Sequence, residues 1–255
     1  MNNKIAIIGG SGFLGSRLSA RFNNSLVSHT ICDISLNNDI DNSIYVDVED
    51  EKSLENISDS NIIINLAAVH RDDITPVSRY DDVNVHGADN VCKAARKYEI
   101  NKIIFTSSVA IYGFAPANTL ENGHPNYFND YGRTKFLAEK IYKDWQQEDP
   151  QNRTLVIVRP TVIFGEGNRG NVYNLLNQIA KNRFLMIGKG TNKKSMAYVE
   201  NVAAFIEHSI NFESGTHIYN YIDKPDFDMN KLVSTVRKTL FNKEGVGLRI
   251  PSILG

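Results

Sequence analysis

The sequence predicts an α/β fold, a doubly wound parallel sheet followed by a smaller C-terminal lobe. Three observations carry that expectation: short β-branched runs alternate with longer segments of helical periodicity, a glycine cluster directly follows the first run, and the alternation loosens after Arg159-Pro160. The strand-like runs are Lys4 to Ile8, His29 to Asp33, Ile44 to Val48, Asn61 to Leu66, Lys102 to Ser107 and Thr154 to Arg159. Between them lie helical patterns such as Val83, Val91, Ala94 and Ala95, or Phe136, Leu137, Ile141 and Trp145. Strand and helix taking turns implies a parallel sheet covered on both faces. The Asn-rich stretch Asn37 to Asn42 reads as a loop. Beyond Pro160, helices are expected over Val172 to Asn182, Val199 to Asn211 and Met229 to Leu240, with one more strand around His217 to Tyr221. Gly188-Lys189-Gly190 and Asp223-Lys224-Pro225 read as turns.

Composition narrows the possible roles. The 255 residues are 42% hydrophobic and 22% charged, with 28 Lys and Arg against 29 Asp and Glu. That balance argues against a disordered tail, a collagen-like repeat and a protein whose first partner is nucleic acid. Cys32 and Cys92 offer no disulfide framework and suit a reducing compartment as two small buried side chains. The N-terminal apolar run Ile5 to Ile8 stops at Gly9-Gly10, far short of the ~20 residues of a membrane-spanning helix, so the default address is the cytoplasm.

The first strand runs into Gly9-Gly10-Ser11-Gly12-Phe13-Leu14-Gly15, with glycines at every third position from Gly9. Glycine there permits a tight turn, lets backbone N–H groups reach a pyrophosphate and allows close helix packing. Asp33 ends the second strand 18 residues after Gly15 (33 − 15), near the ~20 at which an acidic residue binds an adenosine ribose in a Rossmann-type fold. A carboxylate there accepts from both ribose hydroxyls and repels a 2′-phosphate, which favours NAD over NADP. Asp47, after the third strand, is a candidate for the adenine edge.

The fifth strand ends in Thr106-Ser107-Ser108, where a parallel sheet gathers its ligands. Further on, Tyr131 and Lys135 stand four apart at the start of a helix and so share a face. An ammonium beside a phenol favours the phenolate, lowering its reference value of ~10 toward neutrality. A tyrosine so tuned takes a proton from a sugar hydroxyl while hydride leaves the carbon.

Together these residues resemble the extended short-chain dehydrogenase/reductase family, the NAD-dependent epimerases and dehydratases of nucleotide sugars. The likeness covers nearly the whole chain: Gly9, Gly12 and Gly15, Asp33, Asn65-Leu66-Ala67-Ala68, Val83-Asn84-Val85-His86-Gly87, Ser107-Ser108 with Tyr112-Gly113, Tyr131 with Lys135, and Arg159-Pro160 with Gly165. The resemblance implies a catalytic set of Ser108, Tyr131 and Lys135, with Lys135 also on the nicotinamide ribose. It further implies cofactor contacts at Phe13, Leu14, Val48, Leu66, Ala67, Ala68, Ser107 and Pro160. A narrower likeness lies in His70-Arg71-Asp72-Asp73, the run from Gly165 to Asn174 and the run from Lys194 to Val199. These look like the bacterial enzymes that epimerise C4 of N-acetylglucosamine linked through diphosphate to polyprenol, which serve surface polysaccharide and O-antigen assembly; related sequences are commonly described as UDP-glucose 4-epimerases. Asn168, Arg169 and Lys194 are then expected on the substrate, the two cations near its diphosphate or serving surface solubility. Many family members have an arginine followed by an acidic residue where this chain has Lys194-Ser195, which keeps a cation but loses the bidentate fork. His70 and Arg71 follow the fourth strand as hexose contacts or as structural hydrogen bonds.

The leading expectation is an NAD-dependent sugar 4-epimerase, an isomerase acting on a UDP- or polyprenyl-diphosphate-linked hexose or N-acetylhexosamine. Tyr131 takes the C4 hydroxyl proton, NAD holds the hydride, Ser108 hydrogen-bonds the carbonyl, and the 4-keto sugar turns over before the hydride returns. One alternative is an NAD(P)-dependent 4-ketosugar reductase, another sugar-nucleotide dehydrogenase, or a 4,6-dehydratase. A dehydratase needs the Asp-Glu that its relatives carry after the catalytic hydroxyl residue, where this chain has Val109-Ala110. The other alternative is a non-catalytic NAD-binding scaffold, although Tyr131 and Lys135 are both retained. No metal site is expected. Residues 1–160, with 196–222 returning, form the expected NAD-binding domain, and 161–195 with 223–255 the substrate lobe. The apolar ending Leu248 to Gly255 reads as the start of another helix, so a C-terminal part of the lobe is expected beyond it, with a contact to the inner face of the membrane there. The family often pairs as homodimers through the helices after the fourth and fifth strands.

Overall fold

The computed structural model describes residues 3–36, 42–71 and 73–251. In chain order the elements are β1 (Ile5–Ile8), α1 (Phe13–Asn24), β2 (His29–Asp33), β3 (Ser43–Tyr45), β4 (Ile62–Asn65), α2 (Ser78–Tyr80), α3 (Gly87–Lys97), β5 (Lys102–Thr106), α4 (Asp130–Gln147), β6 (Thr154–Pro160) and β7 (Val162–Phe164). There follow α5 (Asn171–Ala180), β8 (Met186–Ile187), β9 (Lys193–Lys194), β10 (Met196–Tyr198), α6 (Val199–Ser209), β11 (Gly215–Tyr221), β12 (Phe227–Asp228), α7 (Met229–Phe241) and β13 (Arg249–Ile250). Two compact units divide them: Met1–Thr161 with Glu200–Tyr221, and Val162–Val199 with Ile222–Gly255.

The first unit is built on a seven-stranded sheet in the order β11-β6-β5-β4-β1-β2-β3, every pair parallel. This is the doubly wound, Rossmann-type order, in which the chain reverses direction across the sheet between β1 and β4. Its central strands are buried along their length, as a sheet covered on both faces requires. On one face Ala6, Ile8, Ile63, Phe105 and Ile157 pack with Val91, Cys92 and Ala95 of α3 and with Ala138, Tyr142 and Trp145 of α4. Alternation sends the equally buried Ile5, Ile7 and Ile64 to the other face. Here α1 buries Leu14, Leu18 and Phe22, and ion pairs Arg17–Glu200 and Arg21–Glu207 join it to α6.

In the seven-stranded sheet expected and observed strands agree closely except at the third, whereas the short strands β7 to β10, β12 and β13 are not expected from the sequence. The apolar alternation from Ile44 to Val48 predicts a longer strand, but ladder pairing with β2 covers only Ser43–Tyr45. Val46 and Val48 are buried all the same, because the chain dives toward the core there and one more hydrogen bond, Val46 N to the Asp33 carbonyl, closes the pairing. Cys32 and Cys92 are free and buried, and burial pushes the Cys32 thiol up to about 12. Of the Asn-rich loop, positions 37–41 lie outside the described residues. Between α2 and α3 a π-helical turn, Asp81–His86, buries Asn84. That side chain accepts from Val69 N at 2.9 Å and donates to the Val69 carbonyl and to Thr134 Oγ1, both at 3.0 Å, pinning the segment after β4 to α4.

The second unit is smaller. It holds three two-stranded ladders, β7 with β10, β9 with β12 and β8 with β13, and a core of Ile179, Met186 and Val233 between α5 and α7. The expected helix after Leu248 is corrected for Arg249–Ile250, which pair with Met186–Ile187 as a strand; residues 252–255 lie outside the description. Among the described residues no helix is long and apolar enough to cross a membrane, and no cluster fit to hold a metal occurs.

Ile63 lies fully buried on the middle strand of the sheet. Ile63→Ala is expected to cost about 2–5 kcal/mol of unfolding free energy, read from urea denaturation with an unchanged slope. A loss below about 1 kcal/mol would mean that this strand is not the packed centre described.

Candidate active site

The turn from β1 into α1 is held by backbone approaches that only glycine allows. Gly9 sits at φ +78°, and a Cβ on Gly15 would lie 2.5 Å from the Gly9 carbonyl oxygen. The loop is thereby folded onto itself at the first turn of α1, whose N-cap Gly12 brings no capping side chain and whose first turn carries no acidic residue. Asp33 reaches back across: its two carboxylate oxygens accept from Ser11 N and Ser35 N, each at 3.0 Å. A carboxylate has about four acceptor sites, so Asp33 keeps capacity for a diol while fixing the loop. A cradle of this shape, an uncapped helix N-terminus and a strand-end carboxylate fit the pyrophosphate and ribose of a dinucleotide.

The hydroxyl residues meet through a second close approach. Ser108 follows β5 and caps a 3₁₀ turn, Val109–Tyr112, by accepting from Ala110 N at 3.1 Å. α4 begins at a true N-cap, Asn129, whose side chain accepts from Gly132 N at 2.9 Å. Gly132 lies so near that turn that a Cβ would come within 2.5 Å of the Ala110 carbonyl oxygen. The contact brings Tyr131, the residue before Gly132 on α4, into a hydrogen bond with Ser108. One turn later Lys135, 2% exposed, donates from Nζ to the Thr106 carbonyl at 2.8 Å, with Nζ 4.7 Å from the centre of the Phe105 ring.

The electrostatics correct one expectation. The spacing of Tyr131 and Lys135 predicts an ammonium that lowers the phenol, whereas the phenol is raised: burial dominates, and the Ser108 hydrogen bond pulls only partly against it. The ammonium is directed at a backbone carbonyl, and its own burial brings Lys135 down to about 7, against the opposing pull of Glu139.

Sequence reading assigns no role to Glu139, Arg159 and Tyr112, which lie beneath this constellation. Glu139 is fully buried; one carboxylate oxygen accepts from Ser107 Oγ at 2.6 Å and Arg159 Nε at 2.8 Å, the other from Arg159 Nη2 at 2.6 Å. Arg159 also donates to the Glu121 carbonyl at 2.8 Å and to the Tyr112 hydroxyl, which donates on to Asn220 Oδ1 at 2.9 Å. The signal available in the sequence is spacing alone: Tyr131, Lys135 and Glu139 repeat at four residues.

The other expected residues are spread around. Leu66, Ala67 and Ala68 follow β4, and Gly9 abuts the Ala67 backbone. Phe13 and Leu14 open α1, and Pro160 ends β6. The Asp47 carboxylate accepts from Glu49 N at 2.9 Å, while Val48 is a core side chain whose carbonyl accepts from Asn90. His70 is exposed, and Arg71 spends its fork on Asp73 at 3.0 and 2.7 Å. In the second unit, Asn168 accepts from Gly170 N at 2.6 Å just before α5, Arg169 is exposed, and Lys194 lies on β9 opposite Phe227.

Comparison with known proteins adds the following. Residues 5–221 match the model of the NAD dependent epimerase/dehydratase family. The chain is 44% identical, over its whole length and 77% of the relative's, to N-acetyl-alpha-D-glucosaminyl-diphospho-ditrans,octacis-undecaprenol 4-epimerase of Escherichia coli O157:H7. It is 26% identical to the UDP-glucose 4-epimerase of Vibrio cholerae, over 81% of this chain and 66% of that one. Among solved structures, the UDP-N-acetylglucosamine 4-epimerase of Bacillus cereus shares the fold with a TM-score of 0.82 at 18% identity, covering 98% of this chain and 84% of that one. The Thermus thermophilus UDP-glucose 4-epimerase in complex with NAD does so at 0.79 and 18%, covering 97% and 86%.

The tight loop gives a direct check. Gly15→Ala must push a Cβ away from the Gly9 carbonyl and the Gly10 backbone, and is expected to lower stability by roughly 1–3 kcal/mol in urea denaturation. An unchanged midpoint would mean that the loop does not hold this close approach.

Proposed function

The chain belongs to the NAD dependent epimerase/dehydratase family and is an NAD-dependent 4-epimerase; we propose that it inverts C4 of an N-acetylhexosamine joined through diphosphate to a polyprenol. What carries the choice of substrate is the 44% identity across the whole chain to an enzyme named for it. The arrangement of Ser108, Tyr131 and Lys135 supports the chemistry.

Tyr131 takes the proton of the C4 hydroxyl and returns it after the sugar has turned. Ser108, hydrogen-bonded to Tyr131, favours the phenolate over the phenol and donates to the carbonyl that forms at C4. Bound NAD supplies the acceptor and later the donor of the C4 hydride, so no net redox change occurs. The Gly9 to Gly15 turn, with the N–H groups of Phe13 and Leu14, would hold its pyrophosphate, and Asp33 its adenosine ribose. Asp47 and the Val48 backbone would face its adenine, and Leu66, Ala67, Ala68, Ser107 and Pro160 would line its path. Lys135, fixed against the Thr106 carbonyl, would hold the nicotinamide ribose. Asn168, Arg169 and Lys194 would take the substrate diphosphate, and His70 the hexose. Arg71 reaches the hexose only by giving up Asp73. The setting is surface polysaccharide assembly at the cytoplasmic face of the membrane, with two chains pairing through α3 and α4.

A second reading, a UDP-linked sugar as substrate, rests on the likeness to UDP-sugar 4-epimerases. Supplied side by side with UDP-N-acetylglucosamine and the polyprenyl-diphosphate sugar, the enzyme is expected to convert the lipid-linked substrate with the higher kcat/KM. Conversion of the nucleotide sugar alone would overturn the lipid-linked assignment. Tyr131→Phe is expected to lower kcat by about 10²–10⁴-fold on whichever substrate reacts, with bound NAD unchanged. Wild-type turnover by that variant would remove Tyr131 from its role.

A further inference from the structure

A carboxylate with no exposure at all lies one helical turn beyond Lys135, and nothing in the chemistry above uses it. Glu139 is met by more donors than a mere helix residue needs. Ser107 Oγ and both the Nε and Nη2 of Arg159 stand within 2.8 Å of it, and Lys143 Nζ approaches from the next turn at 3.3 Å. Arg159 is itself 3% exposed, Ser107 1% and Lys135 2%. The buried set therefore balances two cations, Lys135 and Arg159, against one anion. Arg159 comes from β6, Ser107 follows β5 and Glu139 stands on α4, so one carboxylate ties the segment that carries Ser108 and the helix that carries Tyr131 and Lys135 to β6.

We propose that Glu139, clamped by Arg159, is a positioning residue of this site: its carboxylate fixes the Ser107-Ser108 segment against α4 and is the counter-charge of the Lys135 ammonium. The inference rests on the reading of Ser108, Tyr131 and Lys135 as catalytic residues. A purely structural ion pair would be poor value here, since buried pairs often stabilise no more than apolar side chains of the same volume. Location on the Tyr131–Lys135 face gives the charge a use. The titratable and charged groups around the pair are Tyr131 on α4, Tyr112 from the turn after β5, Arg159 from β6 and Lys143, which is 33% exposed. Glu139 favours the charged form of Lys135 against its burial; the like charges of Arg159 and Lys143 act the other way.

Removing the anion destabilises the ammonium, so Lys135 loses its proton at lower pH; removing Lys143 does the reverse. Glu139→Gln keeps the shape and the acceptor oxygen but drops the charge. In protein labelled with ¹³C-lysine, the Lys135 Cε resonance, assigned by its loss in Lys135→Arg, is expected to titrate roughly 1–2 pH units lower in Glu139→Gln than in the natural protein. It is expected to titrate higher in Lys143→Met, a substitution at the surface that leaves the fold intact. In turnover, the basic limb of the kcat profile should move the same way in each variant, with KM within about two-fold, and Glu139→Asp should restore the limb. Equal midpoints and equal limbs in folded variants, with any loss of kcat following the melting temperature alone, would overturn the proposal. Should Glu139→Gln not fold, an unmoved Lys135 midpoint in Lys143→Met would overturn it as well. The titration needs no substrate, so it reads the charge relation even if the substrate assignment fails.

Discussion

Where α4 meets the turn after β5, Gly132 and Ala110 come so close that no side chain fits between them. The site depends on that contact. It sets the distance between two strand-and-helix units whose sequences are separated by the whole segment 113–129, and places the phenol of Tyr131 beside the hydroxyl of Ser108. A bulkier residue at Gly132 would press on the Ala110 backbone and move Tyr131 away from Ser108. The Asn129 cap adds direction, fixing where the helix starts and therefore which side chain of its first turn faces β5.

A parallel sheet buried on both faces restricts where polar chemistry can occur. Along β1, β4 and β6 every position is buried, and only the strand ends offer backbone and hydroxyl groups to a ligand. The glycine turn after β1, the Leu66 to Ala68 segment after β4 and Ser107-Ser108 after β5 are three successive strand ends. Behind them Asn84 is bonded to Val69 and Thr134, and Asn65 to the Tyr142 hydroxyl at 2.7 Å. Such bonds give the ends a fixed outline without exposing the core to water.

Much of this was legible in the residues, and the exceptions have physical causes. β2 falls on the expected His29 to Asp33, because alternation, β-branching and a terminal Asp all coincide there. The third strand reads too long because periodicity reports burial, and Val46 and Val48 are buried without ladder partners on the far side. Tyr131 and Lys135 were visible as an i,i+4 pair, but spacing says only that two side chains share a face. The direction of the ammonium depends on the Thr106 carbonyl, and the sign of the phenol shift on desolvation, both of them tertiary properties. Glu139 is the harder case: in sequence it is one of many helical glutamates, and only the approach of Arg159 from β6 distinguishes it.

β11 pairs with β6 along seven residues, yet it is encoded after the stretch 162–199, which belongs to the other unit. On a ribosome, therefore, the sheet stands open at its β6 edge while those residues are made. The same strand brings Asn220, whose side chain accepts from the Tyr112 hydroxyl and whose backbone N–H donates to the Glu121 carboxylate at 2.8 Å. Arg159 and its neighbours acquire their last partners only when that strand arrives. The nascent chain can thus own every residue of the glycine turn and of the Tyr131 helix while the sheet still lacks its last strand, so that the partners of Tyr112 and Glu121 on β11 are a late addition of synthesis.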